Sequence, residues 1–485
     1  MGASFSSLLP RDILPQHFAS DSYRLDRTIC LRAALDGRGR HQGHVAAIFY
    51  PHNEKDLQEL FRLGDKYDWE FIVQGGNTSN VQGATPHPSR SPERSARIVL
   101  ISMKKMRSIL SVDPINNTIR AQAGVTLAEI QEAAKKVGRM VPLSFGAQGS
   151  AQVGGIAATN AGGVHVLRFG NARRQILGLR VVLPTGEILA LDQGLRKNNA
   201  GYDLQNLFIG SEGTLGVITE VVWAMRPAIV LEDAFWIRLQ SLEGVERLFM
   251  HLEAALGPQL IAFELMGRSP LESYQKVFAK PLPLPIGDWQ VLVSVAHYHA
   301  WCSDDERLAH FRRIFAPLFD TVIDDIALAL QEEQREAFWR IRERIPLAVK
   351  RLGGNVKHDI SVPRNQIVSM IQSTRNKLIQ FSSNFAPSIF GHYGDGNLHF
   401  NVGTRQRDPR SIFAWEERIH KIVHDEVCAR GGSIAAEHGI GVMKAARLAR
   451  RSDPATYHVM CTIKKLFDPH NRLHRGCLID TSQTT

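Results

Sequence analysis

The stretch from residue 144 to 171, SFGAQGSAQVGGIAATNAGGVHVLRFGN, limits this chain more than any other. It holds seven glycines and five alanines, yet charged and aromatic residues punctuate it, so it is not low complexity. Residues this small let a flat ring or a pyrophosphate lie directly against backbone. It does not stand alone. Gly75, Gly76, Asn77 and Thr78 follow an apolar run, WEFIV, where amide N–H groups of a sharp turn can form an anion nest. Glu212, Gly213 and Gly216 form a third corner. Any one of these reads equally as a turn between elements. Three of them in one region point to a single large ligand wrapped by backbone.

The usual nucleotide signatures are absent: there is no GxxxxGK[ST] and no properly placed GxGxxG. Five cysteines at 30, 302, 428, 461 and 477, with no CxxC pair, argue against a disulfide framework or an iron–sulfur cluster. The formal charge of +10 comes from scattered basic residues without a nucleic-acid motif, so anionic ligands are expected and nucleic acid is not. No apolar run is long enough to span a bilayer. The start carries no secretory pattern, so a cytoplasmic location is expected, with peripheral attachment to a membrane compatible. Gly2 and Ser6 fit the bare myristoylation pattern.

With 485 residues the chain exceeds one ordinary core. Periodicity predicts strands at 46–50, 69–73, 97–102 and 118–121, and helices at 54–68 and 127–137, the second capped by Thr126 and stopped at Gly138. A hairpin is expected around Pro184–Gly186, with a strand ending at Pro227. Beyond 227, helices at 242–255, 305–319 and 330–345 alternate with strands at 234–239, 262–265 and 289–296, the pattern of an α+β domain on an antiparallel sheet. Residues 365–382, 410–430 and 443–467 read as helical. The expected division is 1–227, 228–430 and a C-terminal segment 431–485.

The stretch GHYGDGNLHFNV (391–402) places His392 and His399 seven residues apart with glycines and Asp395 between, which disfavours a helix. A strand, a tight turn at Gly394–Gly396 and a return strand would aim both imidazoles at one point. Glu437 in GGSIAAEHGIG offers a third ligand, with His438 beside it, and histidines plus one carboxylate suit a divalent ion. The alternative is a pair of hydrogen-bonded structural histidines.

QGGNT, GAxGSAxxGGxxATNAGG and GYDLQNLFIGSEGTLGVIT resemble the flavin motifs of the vanillyl-alcohol oxidase and cresol-methylhydroxylase superfamily. The nearest likeness is to FAD-dependent D-2-hydroxyacid dehydrogenases of the D-2-hydroxyglutarate dehydrogenase, D-lactate dehydrogenase and glycolate oxidase flavin-subunit type, over about residues 45–480. The resemblance implies a two-part FAD-binding domain of the vanillyl-alcohol oxidase type with an α+β cap. It matches Gly75, Gly76, Asn77, Thr78 and Ser79 to the first cofactor loop. Gly146, Gly149, Ser150, Gly154, Gly155, Thr159 and Asn160 match the second, and Glu212, Gly213 and Ile218 the third. Members with covalent flavin attach it through a histidine or cysteine near these loops. No histidine follows GGNT until His87, so noncovalent FAD is expected.

The resemblance further implies a divalent metal, zinc first, on His392, His399 and Glu437, with His438 as the base. It implies substrate contacts from Asn401, Arg342 and Lys357; read alone, Arg342 is a solvated helix charge. The activity implied is oxidation of a D-2-hydroxyacid, D-2-hydroxyglutarate foremost, to its 2-oxoacid. Electrons would pass to an electron-transfer flavoprotein, a quinone or a cytochrome, and a homodimer is compatible. The alternatives are a D-lactate or glycolate enzyme, or a flavin electron-transfer subunit without turnover. Three positions depart from the pattern: Ser79 where glycine is commoner, Pro346 where the hydroxyglutarate enzymes carry threonine, and His474-Arg475 where Asn-Pro is usual.

Overall fold

From residue 45 onward, runs of alternating and 3.6-residue hydrophobic periodicity follow one another. In the computed structural model, which describes residues 8–87, 90–405 and 409–479, each run becomes a discrete element. Gly2 and Ser6 lie outside the described residues. The chain divides into two units. The first draws on Met1–Ala161, Asn171–Pro227 and Glu437–Thr485, the second on Gly162–Gly170 and Ala228–Ala436.

In the first unit, β1 (Tyr23–Arg24), β2 (Ala47–Phe49), β3 (Glu70–Gln74) and β4 (Ile98–Ser102) form one sheet in the order β1-β2-β4-β3. Both β2 and β3 run parallel to β4. The helix Glu54–Tyr67 links β2 to β3, buries Leu57, Leu60, Phe61 and Leu63, and is capped by Asn53, whose side chain accepts from the Asp56 N–H at 3.1 Å. A second, antiparallel sheet has the order β5-β6-β10-β8-β9. Its strands are β5 (Ile109–Asp113), β6 (Thr118–Gln122), β8 (Ile176–Val182), β9 (Ile188–Leu191) and β10 (Val217–Ala224). The expected hairpin is the β8–β9 pair. The strand expected to end at Pro227 breaks at Met225, whose N–H turns to the Asn117 carbonyl; Arg226–Pro227 (β11) then pairs with Arg139–Met140 (β7). Thr126 and Glu129 form a reciprocal capping box on the helix Leu127–Lys135, which ends two residues early and turns through Gly138 at φ +66°.

The second unit is built on one antiparallel sheet in the order β15-β12-β14-β13-β17-β18-β16. Its strands are β12 (Leu231–Leu239), β13 (Leu260–Gly267), β14 (Trp289–His297), β15 (Ile323–Ala329), β16 (Asp359–Ser361), β17 (Phe385–His392) and β18 (Asn397–Thr404). Side chains alternate between two cores. Phe235, Phe263, Leu265, Val293, Phe400 and Val402 meet helices Gly244–Leu256, Asp304–Phe315, Ile367–Phe381 and Glu416–Cys428 on one face. Trp236, Met266, Leu292 and Phe390 meet helices Arg268–Phe278 and Glu332–Arg351 on the other.

Four expectations change. The segment 162–170 belongs with the second unit: the Leu167 side chain packs close to Gly394 in the β17–β18 turn, and Leu167 lies against that unit's core. Residues 431–436 also belong there, tied by the paired Ser361 and Ser433 backbones. The helix expected to stop at Ile345 continues through Pro346 to Arg351, because its buried face persists at Ile345 and Ala348. The stretch 443–467 is two helices, Ala445–Arg451 and Pro454–Phe467; Asp453 caps the second by accepting from the Thr456 N–H at 2.8 Å, with Pro454 at its first position.

Candidate functional site

The glycine corners of the first unit do two different jobs. A Cβ at Gly76 would stand 2.0 Å from the Ser150 carbonyl oxygen, so that glycine lets the first and second motifs touch. Gly154 is likewise a packing glycine, because a Cβ there would lie 2.5 Å from that of Ala123. Gly146, Gly149 and Gly155 instead face open space. Gly75 neighbours the Gln152 side chain, whose buried Oε1 has no hydrogen-bond partner among the described residues. An unsatisfied buried acceptor beside glycines that face open space suits a large ligand with N–H or O–H donors, and in this respect the cradle fits FAD.

The remaining cofactor-motif residues are placed as follows. Asn77 is left-handed at φ +53° and donates to the Leu35 carbonyl at 2.9 Å. Thr78 is exposed, Ser150 is exposed, and Ser79 Oγ accepts from the Val81 N–H at 3.3 Å. Thr159 donates back to the Gly155 carbonyl, and Asn160 closes the helix Val153–Thr159 at φ +49° while accepting from the Arg173 N–H at 2.9 Å. Ile218 points into the core beneath β10. Gly213 is left-handed at φ +71°.

Glu212, matched to the third flavin segment, directs its carboxylate toward backbone N–H groups. It is buried and accepts from the Ile440 N–H at 2.8 Å and the Gly441 N–H at 2.7 Å. Burial raises its pKa and the two N–H groups pull it back. Glu212 therefore clamps the turn that immediately follows Glu437 and His438. Both of those are half-buried.

In the second unit the hairpin forms as expected: β17 ends at His392, the chain turns through Tyr393–Asp395 and Gly396 (φ +87°), and β18 returns through His399. His392 and His399 lie on the same sheet face, their ring centroids 5.5 Å apart. Beneath them is a residue that the sequence did not single out. Glu264 on β13 is fully buried and accepts from His392 Nδ1 at 2.6 Å. That bond gives the proton to Nδ1 and leaves the Nε2 lone pair available, as where a carboxylate orients a metal-binding imidazole. Burial pushes the Glu264 carboxyl up, but His392 and Arg342 outweigh it and hold the pKa at about 2.

Arg342 is buried, with Nε 2.8 Å and Nη2 2.7 Å from the same Glu264 oxygen and its guanidinium over the Phe390 ring at 5.1 Å. The Nε–H is thus given to Glu264, whereas the buried Nη2 makes no hydrogen bond among the described residues. Pro346 sits one turn on, with its ring exposed; lacking an N–H, it cannot satisfy the Arg342 carbonyl. Asn401 is buried and shares the His399 face. Lys357 is exposed, two residues before Asp359, the register partner of His399. Alternation along that extended segment puts Lys357 on the His399 side as well.

Two further histidines escaped the sequence reading or lacked an account there. His165 belongs to the 162–170 segment; burial pushes its pKa down to about 4, with Glu264 pulling the other way. His474, the unexplained departure, is buried and accepts the Val73 N–H through Nε2 at 2.6 Å, while its backbone N–H donates to the Phe71 carbonyl. Burial, then Lys464, depress its pKa to about 3. A neutral His474 ties the C-terminal segment to β3, just ahead of Gly75.

Residues 235–478 match the family model of the C-terminal domain of FAD linked oxidases, and residues 45–192 match that of an FAD binding domain. A putative mitochondrial D-lactate dehydrogenase of Schizosaccharomyces pombe is 32% identical over 448 residues, covering 90% of this chain and 82% of that protein. The mitochondrial D-2-hydroxyglutarate dehydrogenase of Bos taurus is 31% identical over 440 residues, covering 91% and 78%. Among solved structures, p-cresol methylhydroxylase superposes with a TM-score of 0.69 at 14% identity, covering 96% of this chain and 95% of that one. Alkyldihydroxyacetonephosphate synthase gives 0.69 at 17%, covering 97% and 84%. Identities that low speak for the fold alone: α+β, with an FAD-binding part of the vanillyl-alcohol oxidase type and a separate sheet-based cap. The length of the family matches and the identity to these relatives place this chain in the family of FAD-linked oxidases.

Proposed function

We propose that this chain is an FAD-dependent dehydrogenase of D-2-hydroxyacids, with noncovalent FAD and D-2-hydroxyglutarate as the leading substrate. The observation that carries the reading is the His392–Glu264 pair: a buried carboxylate orients one imidazole beside the ring of His399, their centroids 5.5 Å apart, and Glu437 is the proposed third ligand. Two nitrogens and one carboxylate oxygen suit a divalent ion, zinc first. Such an ion, when bound, supplies Lewis acidity toward a substrate hydroxyl, and FAD supplies a two-electron hydride acceptor.

The chain's own residues divide the remaining work. Glu264 and Arg342 act as positioning residues for His392. His438 takes the hydroxyl proton, and the Glu212 clamp on the next two N–H groups fixes its backbone. Asn401 and Lys357 contact the substrate, Lys357 the distal carboxylate of a diacid. With the Nε–H of Arg342 given to Glu264, the distal grip is assigned to Lys357. The acceptor for reoxidation would be an electron-transfer flavoprotein, a quinone or a cytochrome. A D-lactate enzyme is the second reading, favoured by Pro346, which carries no hydroxyl one turn beyond Arg342.

Stopped-flow reduction of the flavin by D-lactate, D-malate and D-2-hydroxyglutarate tests this reading. Lys357→Ala should raise the half-saturating concentration of the two diacids and spare D-lactate. Equal losses for all three acids would remove the distal-carboxylate role. Acid precipitation should release the flavin; flavin retained on the chain would contradict noncovalent binding.

A further inference from the structure

The opposite face of the seven-stranded sheet carries a second group of histidines, to which the reading above gives no role. His420 and His424 stand four residues apart on the helix Glu416–Cys428, so both project from one side of it. His358 immediately precedes β16 and is still held in the sheet, since the Phe400 N–H donates to its carbonyl at 3.0 Å. The three rings converge: centroids lie 4.8 Å apart for His358–His420 and 5.4 Å for both His358–His424 and His420–His424. One nitrogen from each falls within 4.8 Å of the others.

We propose that His358, His420 and His424 form a second metal site, taking a zinc ion, on the sheet face opposite His392 and His399. The faces are distinct because neighbouring residues of a strand point to opposite sides. Asp359 is the register partner of His399, whereas His358 lies beside Phe400, which belongs to the other core.

The geometry is that of a ligand set. His358 Nδ1 donates to the Phe400 carbonyl at 2.7 Å, which fixes the tautomer and makes Nε2 the donor atom. His358 Nε2 and His420 Nδ1 are 3.0 Å apart. Two nitrogens held 2.0–2.1 Å from a tetrahedral zinc lie about 3.3 Å from each other, so an ion needs only a small opening of this pair. The other nitrogen of His420 faces the Glu416 carboxylate at 3.6 Å, an outer carboxylate of the kind that supports metal-bound imidazole.

Three imidazoles without a carboxylate or thiolate in the inner set select zinc over calcium or magnesium, with water as the fourth ligand. Hydrogen-bonded neutral imidazoles are the competing explanation. They account for the His358–His420 contact but give no reason for a third ring to converge on it among Ile419, Val423 and Val427. The ion would tie the helix to β16, the edge strand of the sheet, and so brace the strand whose Asp359 pairs with His399. This does not depend on the activity proposed above.

The test uses the full FAD-loaded chain, stripped with a chelator and titrated with zinc alone. Unbound zinc is then removed, and bound zinc and melting temperature are measured. The wild type should retain about two zinc ions per chain, and His399→Ala and His420→Ala about one each, one per cluster. The zinc-dependent rise in melting temperature should persist in His399→Ala and shrink in His420→Ala. Cobalt added to His399→Ala gives a reading that needs no change at the trio, and an intense tetrahedral visible spectrum is expected. Zinc content and melting shift in His420→Ala equal to wild type would overturn the proposal, as would a His399→Ala protein that binds neither zinc nor cobalt.

Discussion

The two faces of the β16–β18 edge of the seven-stranded sheet treat histidine in opposite ways. On one, His392 rests on a buried carboxylate that is itself paired with a buried arginine. On the other, His358 rests on a backbone carbonyl, and the nearest carboxylate, Glu416, is 3.6 Å from His420 and far more exposed. A buried anion raises the basicity of the imidazole it holds and organises its surroundings electrostatically. A carbonyl orients the ring without adding charge. The two proposals follow that contrast: tuning chemistry on the first face, holding a shape on the second.

Glu264→Gln should give the largest departure. It keeps the volume but leaves the Arg342 guanidinium buried without its counter-charge, a loss of about 3–5 kcal/mol by analogy with other broken buried pairs. Metal affinity on that face should also fall by about 10–100-fold, the usual cost of losing an outer-shell partner. Urea denaturation and zinc titration read the two effects. A variant as stable as wild type would erase the contrast between the faces.

Pro346→Ala should act in the opposite direction and less strongly. It restores an N–H for the Arg342 carbonyl within the helix Glu332–Arg351, at an exposed position, and about 1–3 kcal/mol of stabilisation is expected from the helix-interior scale. A lower melting temperature would mean that the helix requires its present course around Arg342.

The smallest effect concerns acid. His165, on the Glu264 side, is pushed by burial from its ordinary range down to about 4. Its neutral form therefore contributes stability that is present above about pH 6.5 and is lost as pH falls toward 4, because the unfolded chain takes up the proton first. His165→Phe should flatten the fall in urea midpoint between pH 7 and 4. An unchanged slope would show that His165 is readily protonated in the folded protein.

The parts legible in the sequence are those with a local signal. The β17–β18 hairpin follows from glycines at a turn between apolar strands, and the helix from Leu127 follows from the Thr126–Glu129 box. Glu264 was hidden because it stands in an apolar strand, 128 residues from the histidine it serves. The His358–His420 contact spans 62 residues and has no spacing rule to reveal it. Glycines were legible as special, but not for which purpose. Gly76 and Gly154 admit backbone or a methyl group, whereas Gly146, Gly149 and Gly155 face open space, and only tertiary packing separates the two kinds.

The central claim is most directly tested by anaerobic mixing of the FAD- and zinc-loaded protein with D-2-hydroxyglutarate and, separately, with its L enantiomer. The account predicts that the flavin absorbance bleaches with the D acid and not the L acid. It also predicts that His438→Ala slows bleaching about 10²–10⁴-fold, the range a general base supplies. A protein that holds FAD and zinc yet bleaches with no D-2-hydroxyacid, or a His438→Ala variant reduced at the wild-type rate, would contradict it.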